Sequence, residues 1–342
     1  MAGNSNLDIN AVCVYRDPTA DWGAHGITTA VDHQQKALEE NGIEVKDKPT
    51  EPYDIIHINW PGPISLLKLK QAQRQGKLGV VFAHSGKDIE GGFTLSTYLE
   101  KPFIKWLTML YNSGDRVIAP SDYTKDTLAE FGVEASKTRT VSNGVDLSKV
   151  EYSEEGRKKY RSIYDLDSPT IIVVGQVIPR KDVTTFVEVA RELPEYQFVW
   201  YGHRMNRLFM FDREMDRAIK NSPDNVQFTG YVEDIGAAFS SGDLFFFPSK
   251  EENEGIVLLE AAARGLPIVT RDLPAYEGWL EDGRNCLKGN DREEFVNLIK
   301  KVIDNTQLKE SLTEEARNTA EEHRLENIGK KYLDIYREYM AI

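Results

Sequence analysis

Two glutamates, Glu252 and Glu260, mark the part of this 342-residue sequence that is best suited to chemistry. Between them lies Gly255, which follows an apolar, strand-like run at Leu244–Phe247 and precedes an apolar helical run that begins at Ile256. A helix that begins at a glycine presents unpaired backbone N–H groups and a partial positive charge, which suit phosphate or sugar oxygens. The spacing therefore predicts a binding site for a phosphorylated or hydroxylated ligand.

Glu260 is the one polar residue in the helical run from Ile256 to Ala263. A helix that is apolar on every face is normally buried, and a buried carboxylate is costly unless it accepts hydrogen bonds. A ligand with vicinal hydroxyls would donate such bonds. Alternatively, Glu260 faces water or pairs with Arg264, one turn further along the helix. The residues alone leave these alternatives open.

Three other places could serve the same ligand. The pair Arg180–Lys181 follows a strand-like run and could neutralise a phosphate, although most such pairs lie on a solvated surface. His84 ends the predicted strand Gly79–Ala83, so it either faces a ligand or is a half-buried histidine satisfied by its neighbours. The glycine-bearing loop that ends at Gly26 either lets the backbone approach a ligand or is only a turn.

Several common sites are excluded by the sequence. The dinucleotide pattern GxGxxG, the P-loop and the GxSxG elbow of serine hydrolases are all missing. The pair Asp165 and Asp167 lies in a charged segment and is interpreted as a solvated loop. The six histidines do not pair at metal-ligand spacing, so we predict no metal and no cofactor. Two isolated cysteines, Cys13 and Cys286, favour a reducing cytosol, and no signal peptide is visible at the first residues.

The charge of the chain is distributed unevenly. Its 42 basic and 55 acidic residues give a net charge of −13, which argues against nucleic acid as a partner. Residues 1–150 carry only −3 of this, and residues 55–87 contain no acidic side chain. That window holds a basic and apolar stretch at 65–77, and an aromatic-rich helix with Lys101 and Lys105 follows. Such surfaces dock on anionic membranes, although Phe103, Trp106, Leu107 and Leu110 also have the spacing of an ordinary core face.

Short apolar runs alternate with amphipathic stretches along the chain, which predicts parallel βαβ units. We expect an α/β protein of two facing, doubly wound, Rossmann-like domains with a ligand in the cleft between them. The expected boundaries are residues 1–150 and 151–322, with a C-terminal helix at 323–342 that packs back on the first domain. Residues 146–167 are expected to connect the domains through a short helix. The predicted strands are 9–14, 54–58, 79–83, 116–119, 138–142, 170–175, 197–202, 226–229, 243–247 and 267–270, and residues 306–340 are predicted to be helical throughout.

The run from Phe247 to Ala261 resembles the E-x7-E signature of the family 4 retaining glycosyltransferases, which have the GT-B fold. Other segments resemble the same family. These segments are Ser142–Asp146, Val174–Gly175 with Arg180–Lys181, and Thr229–Val232. Together they cover nearly the whole C-terminal half, and the combination is more specific than any one segment.

The resemblance implies a role for each matching residue. Glu252 would contact the hydroxyls of the donor sugar, together with backbone amides of Asn253, Glu254 and Gly255 at the start of the helix that begins with Ile256. Glu260 would hold the ribose, Tyr231 would lie near the base, and Lys181 would neutralise the diphosphate. The family has an arginine where this chain has Gln176, so Arg180 is expected to supply that charge. His84 and Gly26 would belong to the reacting centre, with His84 and Glu252 as the catalytic residues.

A subgroup resemblance suggests the acceptor. Segments that include Pro179–Lys181, Glu192–Phe198 and Arg271–Asp272 are similar to bacterial α-glycosyldiacylglycerol synthases, although Gly86–Ile89 departs from their usual run. This implies transfer of a hexose, glucose above all, from a UDP-sugar to diacylglycerol or monoglycosyl-diacylglycerol. The expected location is the cytoplasm, with peripheral contact at the inner face of the cell membrane. The alternatives are a soluble family 4 enzyme acting on a sugar or glycan, and a UDP-sugar 2-epimerase or non-catalytic nucleotide-sugar binder.

Overall fold

The structure is a computed structural model that describes residues 9–20, 26–85, 96–204 and 212–340. The chain divides into two compact units. The first unit contains the described residues of Met1–Gly86, Leu99–Gly144 and Arg324–Ile342, and the second contains those of Lys87–Tyr98 and Val145–His323. The assignment of the acceptor to one unit and of the donor to the other remains a prediction.

Within the described residues, each unit is built on a parallel sheet of six strands. The strands of the first unit are β1 (Ala11–Tyr15), β2 (Glu44–Lys46), β3 (Ile55–Ile58), β4 (Leu78–Phe82), β5 (Arg116–Ala119) and β6 (Thr138–Thr140). Those of the second unit are β7 (Thr170–Val174), β8 (Gln197–Tyr201), β9 (Val226–Gly230), β10 (Leu244–Phe247), β11 (Ile268–Arg271) and β12 (Leu287–Gly289).

The helices alternate with these strands, as the sequence predicted. They are α1 (Gly26–Glu39), α2 (Pro63–Arg74), α3 (Ser96–Asn112), α4 (Asp122–Glu130), α5 (Glu154–Ile163), α6 (Val183–Glu192), α7 (Arg213–Lys220), α8 (Ile235–Ser241), α9 (Ile256–Arg264), α10 (Arg292–Ile303), α11 (Thr306–Glu322) and α12 (Leu325–Met340). Many of them are preceded by a cap residue whose side chain accepts a hydrogen bond from a backbone N–H of the first turn. Examples are Ser121, Ser153, Asp234 and Asp291.

The order of the strands shows where a ligand should bind in each unit. The orders are β2-β1-β3-β4-β5-β6 and β12-β11-β10-β7-β8-β9. The direction of winding therefore reverses between β1 and β3 in the first sheet and between β7 and β10 in the second. In doubly wound sheets, ligands bind beyond the carboxyl ends of the strands at such a reversal. In the second unit, these are the loops that carry Lys181 and Glu252.

The central strands are buried on both faces, which explains their continuous apolar sequences. In the first unit, α12 packs on α1, and its Ile328, Tyr332 and Tyr336 join the core with Val14 and Phe82. The core of the second unit is aromatic, with rings of Phe186, Phe198, Trp200, Phe246 and Phe295 in contact. Each unit therefore has its own apolar core.

The structure corrects several element predictions. Strands β2 and β12 were not predicted, because each is a three-residue edge strand that pairs on one side only and has no long apolar run. The short helices α7 and α8 were also missed. The prediction that residues 306–340 are helical throughout is wrong at one point, since α11 ends at Glu322 and α12 begins at Leu325. At the break, the His323 carbonyl accepts a hydrogen bond from the backbone N–H of Val145 instead of continuing the helix.

The charged segment that was expected to connect the domains contains a packed helix. Arg157 of α5 donates to the carbonyl oxygens of Ser240 and Gly242 at 2.9 and 3.0 Å, and its guanidinium lies 2.7 Å from the Asp243 carboxylate. Because α5 satisfies the last carbonyls of α8 in this way, it is an integral element of the second unit. Among the helices that the structure describes, none is long and apolar enough to cross a membrane.

Candidate functional site

The loop between β10 and α9 forms the centre of the candidate site. Strand β10 is fully buried, and the chain then runs through residues 248–254 to Gly255, whose φ of +87° is left-handed. No side chain of the described residues caps α9, so the first two amides of the helix are available to an external acceptor. Asn253 and Ile256 are half-buried and Glu254 is buried. The predicted helix N-terminus at Gly255 is confirmed, whereas its role as a ligand site remains a prediction.

Glu252 is buried among cations. Its carboxylate is ion-paired with the Lys181 ammonium and lies 3.4 Å from the Arg180 guanidinium, and it accepts a 2.6 Å hydrogen bond from the Ser249 hydroxyl. Burial alone would raise the pKa of Glu252, but the two cations and the Ser249 hydrogen bond outweigh it, and the pKa is lowered. Glu252 is therefore an anion held in a fixed position by charge.

The loop after β7 is tied to the loop after β10. Arg180 and Lys181 lie in a 3₁₀ turn, Pro179–Lys181. The Arg180 carbonyl accepts from the backbone N–H of Lys250 at 2.9 Å, and the Arg180 guanidinium donates to the carbonyl of Glu251 at 3.0 Å. The Lys181 ammonium also lies 4.6 Å from the centre of the Phe247 ring. Two cations and one carboxylate thus meet at the reversal of the sheet.

Asp182 stabilises the contact between these two loops. It is almost fully buried, has a left-handed φ of +54°, and caps α6 through hydrogen bonds with Thr185. Its carboxylate also lies 2.8 Å from the Arg271 guanidinium and 3.1 Å from the Lys250 ammonium. Arg271 in turn donates to the Pro248 carbonyl at 3.1 Å. Asp182 therefore links the ends of β7 and β11 to the loop that carries Glu252.

Glu260 occupies a different environment, one turn into α9. Its side chain is half-buried, and burial raises its pKa to about 7, with Lys149 opposing the shift and Asp146 adding to it. Among the residues that the structure describes, no side chain forms a hydrogen bond or ion pair with this carboxylate. The alternative pairing with Arg264 is wrong, since that guanidinium lies 3.3 Å from the Ser240 hydroxyl and 4.2 Å from the centre of the Tyr152 ring.

The carboxyl ends of β7, β8 and β9 are lined by glycines. A Cβ atom on Gly202 would lie 1.7 Å from the carbonyl oxygen of Gly175, so the two backbones approach as closely as only glycine allows. Gln176 follows Gly175 and is half-buried, and Tyr231 follows β9 and is 59% exposed. Both predicted residues therefore lie at the same edge of the sheet as Lys181.

The remaining predicted residues belong to the first unit. Gly26 begins α1 and is exposed, while the rest of the loop at 22–25 and the segment 86–89 lie outside the described residues. His84 follows β4 and is half-buried. Its Nε2 lies 2.7 Å from the Asn59 Oδ1, and its ring stacks on Phe82 with centroids 6.3 Å apart. This geometry is compatible with both interpretations of His84, the ligand contact and the satisfied half-buried histidine.

The structure adds residues that the sequence reasoning missed. Ser249, Asp182, Arg271 and Lys149 all contribute to the environment of the two glutamates. Two of these residues could have been found from the sequence. Ser249 lies inside the E-x7-E motif, and Asp182 directly precedes an apolar helical run, which is the position of a helix cap. Arg271 and Lys149 are distant in sequence, so only the sheet order and the packing of α9 against residues 147–150 could have placed them.

Comparison with known proteins agrees with this geometry. Residues 156–319 match the family model "Glycosyl transferases group 1", and residues 44–149 match "Glycosyltransferase Family 4". The chain is 34% identical, over 97% of its length and 99% of the relative's, to a processive diacylglycerol alpha-glucosyltransferase from Acholeplasma laidlawii. It is 27% identical, over 90% of its length and 83% of the relative's, to an alpha-galactosylglucosyldiacylglycerol synthase from Streptococcus pneumoniae.

Solved structures show the same fold. The Anabaena protein HepE, crystallised with UDP and glucose, superposes with a TM-score of 0.78 at 17% identity, covering 96% of this chain and 100% of that one. Sucrose-phosphate synthase from Thermosynechococcus elongatus has a TM-score of 0.78 at 19% identity, covering 97% and 99%. The predicted GT-B class, with two Rossmann-like units, is confirmed by these matches and by the two parallel sheets.

Proposed function

Because the chain belongs to glycosyltransferase family 4 and is a hexosyltransferase, we propose that it transfers glucose from a UDP-sugar to a diacylglycerol-based lipid. The observation that carries this proposal is the Glu252 carboxylate, buried between Lys181 and Arg180 at the reversal of the second sheet. The 34% identity to a diacylglycerol glucosyltransferase, over nearly the whole of both chains, supports the choice of acceptor.

The second unit offers what the departure of a nucleoside diphosphate needs. Negative charge develops on the diphosphate as the bond to the sugar breaks, and fixed cations and helix N-termini stabilise such charge. Lys181, Arg180 and the uncapped start of α9 would provide this without a metal ion. Glu252 would bind sugar hydroxyls, and Glu260 would accept hydrogen bonds from the ribose. Tyr231 and Gln176 would complete the donor site.

We propose His84 as the residue of the first unit that serves the reaction, with Gly26 at the start of α1 as a second residue of this unit. The bond between the anomeric carbon of the sugar and the diphosphate oxygen breaks. A new bond forms between that carbon and the acceptor oxygen, on the face of the sugar that the diphosphate leaves. The acceptor's proton would pass to the departing phosphate, while His84 steadies the positively charged sugar. In this mechanism no protein side chain forms a covalent bond with the sugar.

The lipid acceptor implies contact with a membrane surface, and the first unit has a suitable one. Helix α2 exposes Leu67, Lys70 and Arg74, and α3 exposes Lys101, Lys105 and Met109. Lys70 donates to the carbonyl of Ser113 at 3.1 Å, and the Ser113 hydroxyl donates to the Met109 carbonyl. The exposed side chains of α2 and α3 therefore lie next to each other. Each set combines an apolar side chain with two cations, as peripheral membrane helices do.

A transfer assay tests the proposed reaction. Purified protein would be incubated with radiolabelled UDP-glucose and mixed micelles that contain diacylglycerol or monoglycosyl-diacylglycerol. We expect a glycolipid product, and losses of about 100-fold or more in the Glu252→Ala and His84→Ala variants. The exposed Glu310→Ala variant is the control. Near-normal transfer rates in both site variants would contradict the assignment of Glu252 and His84 to the active site. Transfer to soluble sugars alone, or conversion of UDP-glucose without an acceptor, would contradict the lipid assignment.

Vesicle sedimentation tests the membrane surface. The Leu67→Asp/Met109→Asp double variant should bind vesicles of anionic phospholipid at least about tenfold more weakly than the wild type, because it replaces apolar anchors by charge. Ile163 is 55% exposed at the end of α5, and Ile163→Asp is the matched control. Equal loss in the control, or unchanged binding in the double variant, would contradict this docking surface.

A further inference from the structure

The cations proposed to bind the diphosphate of the donor are already in contact with a carboxylate of the protein. Glu252 is ion-paired with the Lys181 ammonium, and its carboxylate lies 3.4 Å from the Arg180 guanidinium. A bound diphosphate and Glu252 would therefore share the same two cations. This arrangement places a fixed negative charge beside the phosphate that takes part in the reaction.

Glu252 is held in place more firmly than either cation. Its side chain is 7% exposed and accepts a 2.6 Å hydrogen bond from the Ser249 hydroxyl, whereas the side chains of Lys181 and Arg180 are 12% and 27% exposed. A ligand from solvent therefore reaches the cations more easily than the carboxylate. A phosphate oxygen that binds either cation at about 2.8 Å lies within roughly 6 Å of the Glu252 carboxylate.

The neighbouring carboxylate, that of Asp182, is ion-paired with a different set of cations. It lies 2.8 Å from the Arg271 guanidinium and 3.1 Å from the Lys250 ammonium. Replacing Glu252 by the neutral glutamine of the same shape would therefore change the charge beside Lys181 and Arg180 while these other ion pairs keep both partners.

The donor and the product of transfer differ in charge at the phosphate next to these cations. In a UDP-sugar the terminal phosphate is a diester with one negative charge. When the bond to the anomeric carbon breaks, the phosphate oxygen keeps the electron pair, and a proton taken from the acceptor is lost to water above a pKa of about 6. UDP therefore carries one more negative charge than the donor at about pH 8.

This extra charge is repelled by Glu252. Two like charges about 6 Å apart change a dissociation constant by roughly threefold in a medium like water and by about a hundredfold at an effective dielectric constant of about 20. The donor also offers a compensating interaction, because its sugar hydroxyls would donate hydrogen bonds to Glu252, and UDP has lost that sugar. Both effects disfavour the product relative to the donor.

We propose that Glu252 is a specificity-determining residue that weakens the binding of UDP relative to UDP-glucose and so promotes the release of the product. This inference rests on the proposed function, since it requires the diphosphate to bind at Lys181 and Arg180. It gives the ion pairs of Glu252 a second role beside stability, because the carboxylate that orients the donor sugar also prevents UDP from binding too tightly.

Isothermal titration calorimetry at about pH 8, without any acceptor, tests this inference. We expect UDP to bind about tenfold more tightly to Glu252→Gln than to the wild type, whereas UDP-glucose binds no more tightly. Glu310→Gln removes the same charge from an exposed position of α11 and should leave both affinities unchanged. The fitted stoichiometry reports the folded fraction, so a loss of folded protein is not mistaken for weak binding.

A second pair of variants keeps the test valid if Glu252→Gln alone does not fold. Lys181→Gln/Glu252→Gln removes both partners of the ion pair, so no buried cation loses its carboxylate at this position. UDP should bind about threefold or more tightly to this double variant than to Lys181→Gln, because Arg180 is then free of the competing charge.

The outcomes separate this inference from the proposed function. If UDP binds no more tightly in either comparison, or if UDP and UDP-glucose gain affinity equally, Glu252 does not discriminate between donor and product and the inference is overturned. If the wild type binds neither nucleotide, the proposed function is contradicted and the inference is overturned with it. Binding of both nucleotides by the wild type, with no selective gain for UDP in the variants, would overturn the inference alone.

Discussion

The carboxyl groups of Glu252 and Glu260 have pKa values that are displaced in opposite directions, although only seven residues separate them. Two cations and a hydroxyl surround Glu252 and hold its pKa low, whereas Glu260 is half-buried without a hydrogen-bonding partner among the described residues, and burial raises its pKa to about 7. The first is a permanent anion at neutral pH. The second is poised to change its charge when a ligand binds.

Replacing Glu260 should weaken nucleotide binding and remove the part of its pH dependence that this carboxylate causes. We expect the wild type to bind UDP about five to ten times more tightly at about pH 8 than at about pH 6, since the charged carboxylate is the better acceptor for ribose hydroxyls. Glu260→Gln should bind UDP about tenfold more weakly at pH 8, with only the pH dependence of UDP itself. Isothermal titration calorimetry measures both, with Glu310→Gln as control. A parallel pH dependence in Glu260→Gln would contradict the role.

The same substitution should make the folded protein more stable. The folded-state pKa of Glu260 is raised, so its contribution to stability falls as pH rises from the unfolded value near 4.5 through about 7. Glu260→Gln should therefore raise the free energy of unfolding by about 1–2 kcal/mol at about pH 8, and by less at about pH 5. Urea unfolding at the two pH values measures this. A variant that is less stable at the higher pH would show that another group satisfies Glu260.

Replacing Glu252 should have the opposite effect. Its folded-state pKa is lowered, so the stability that it contributes is present above the unfolded value near 4.5 and is lost as pH falls through the folded pKa. Glu252→Gln leaves Lys181 and Arg180 without their carboxylate and should cost about 2–4 kcal/mol at pH 7. The difference from wild type should shrink in acid, as followed by urea unfolding. A constant difference at every pH would mean that packing, not charge, is lost.

Asp182 should be more important than an ordinary helix cap. Asp182→Asn keeps the cap and tolerates the left-handed backbone, but it removes the charge that Arg271 and Lys250 share. We expect a loss of about 2–4 kcal/mol in the free energy of unfolding. Asp291→Asn at the exposed cap of α10 is the matched control and should cost only a few tenths of a kcal/mol. Equal losses in the two variants would show that Asp182 acts only as a helix cap.

Gly255→Ala should damage the site more than the fold. The left-handed backbone would cost about 1–2 kcal/mol, and the new methyl group would lie 3.1 Å from Leu258 and 3.3 Å from Tyr276. We expect UDP to bind about tenfold more weakly, because the start of α9 must shift. Gly283→Ala has a similar backbone cost, and no atom of the described residues lies within 4 Å of the new methyl group, so it should leave UDP binding unchanged. Equal UDP affinity in both variants would contradict a ligand at this helix terminus.

The sequence by itself determined the class of the fold and the centre of the donor site. Apolar runs at 170–174 and 244–247 are readable as buried parallel strands, because both faces of such strands are covered. Gly255 marks the start of α9 by its position before an apolar helical run. Glu252 and Glu260 were found because motif spacing is a local property of the chain.

The tertiary structure decided how each of these groups is charged and oriented. Lys181 reaches Glu252 only because β7 and β10 are neighbours in the sheet, and Arg264 is drawn away from Glu260 by Ser240 and Tyr152. The Tyr336 hydroxyl of α12 lies 2.5 Å from His57 Nε2 of β3, a contact that no local pattern encodes. Residues close together in sequence determine which helices and strands form. The charge of a side chain and the position of its protons depend instead on contacts between residues that only folding brings together.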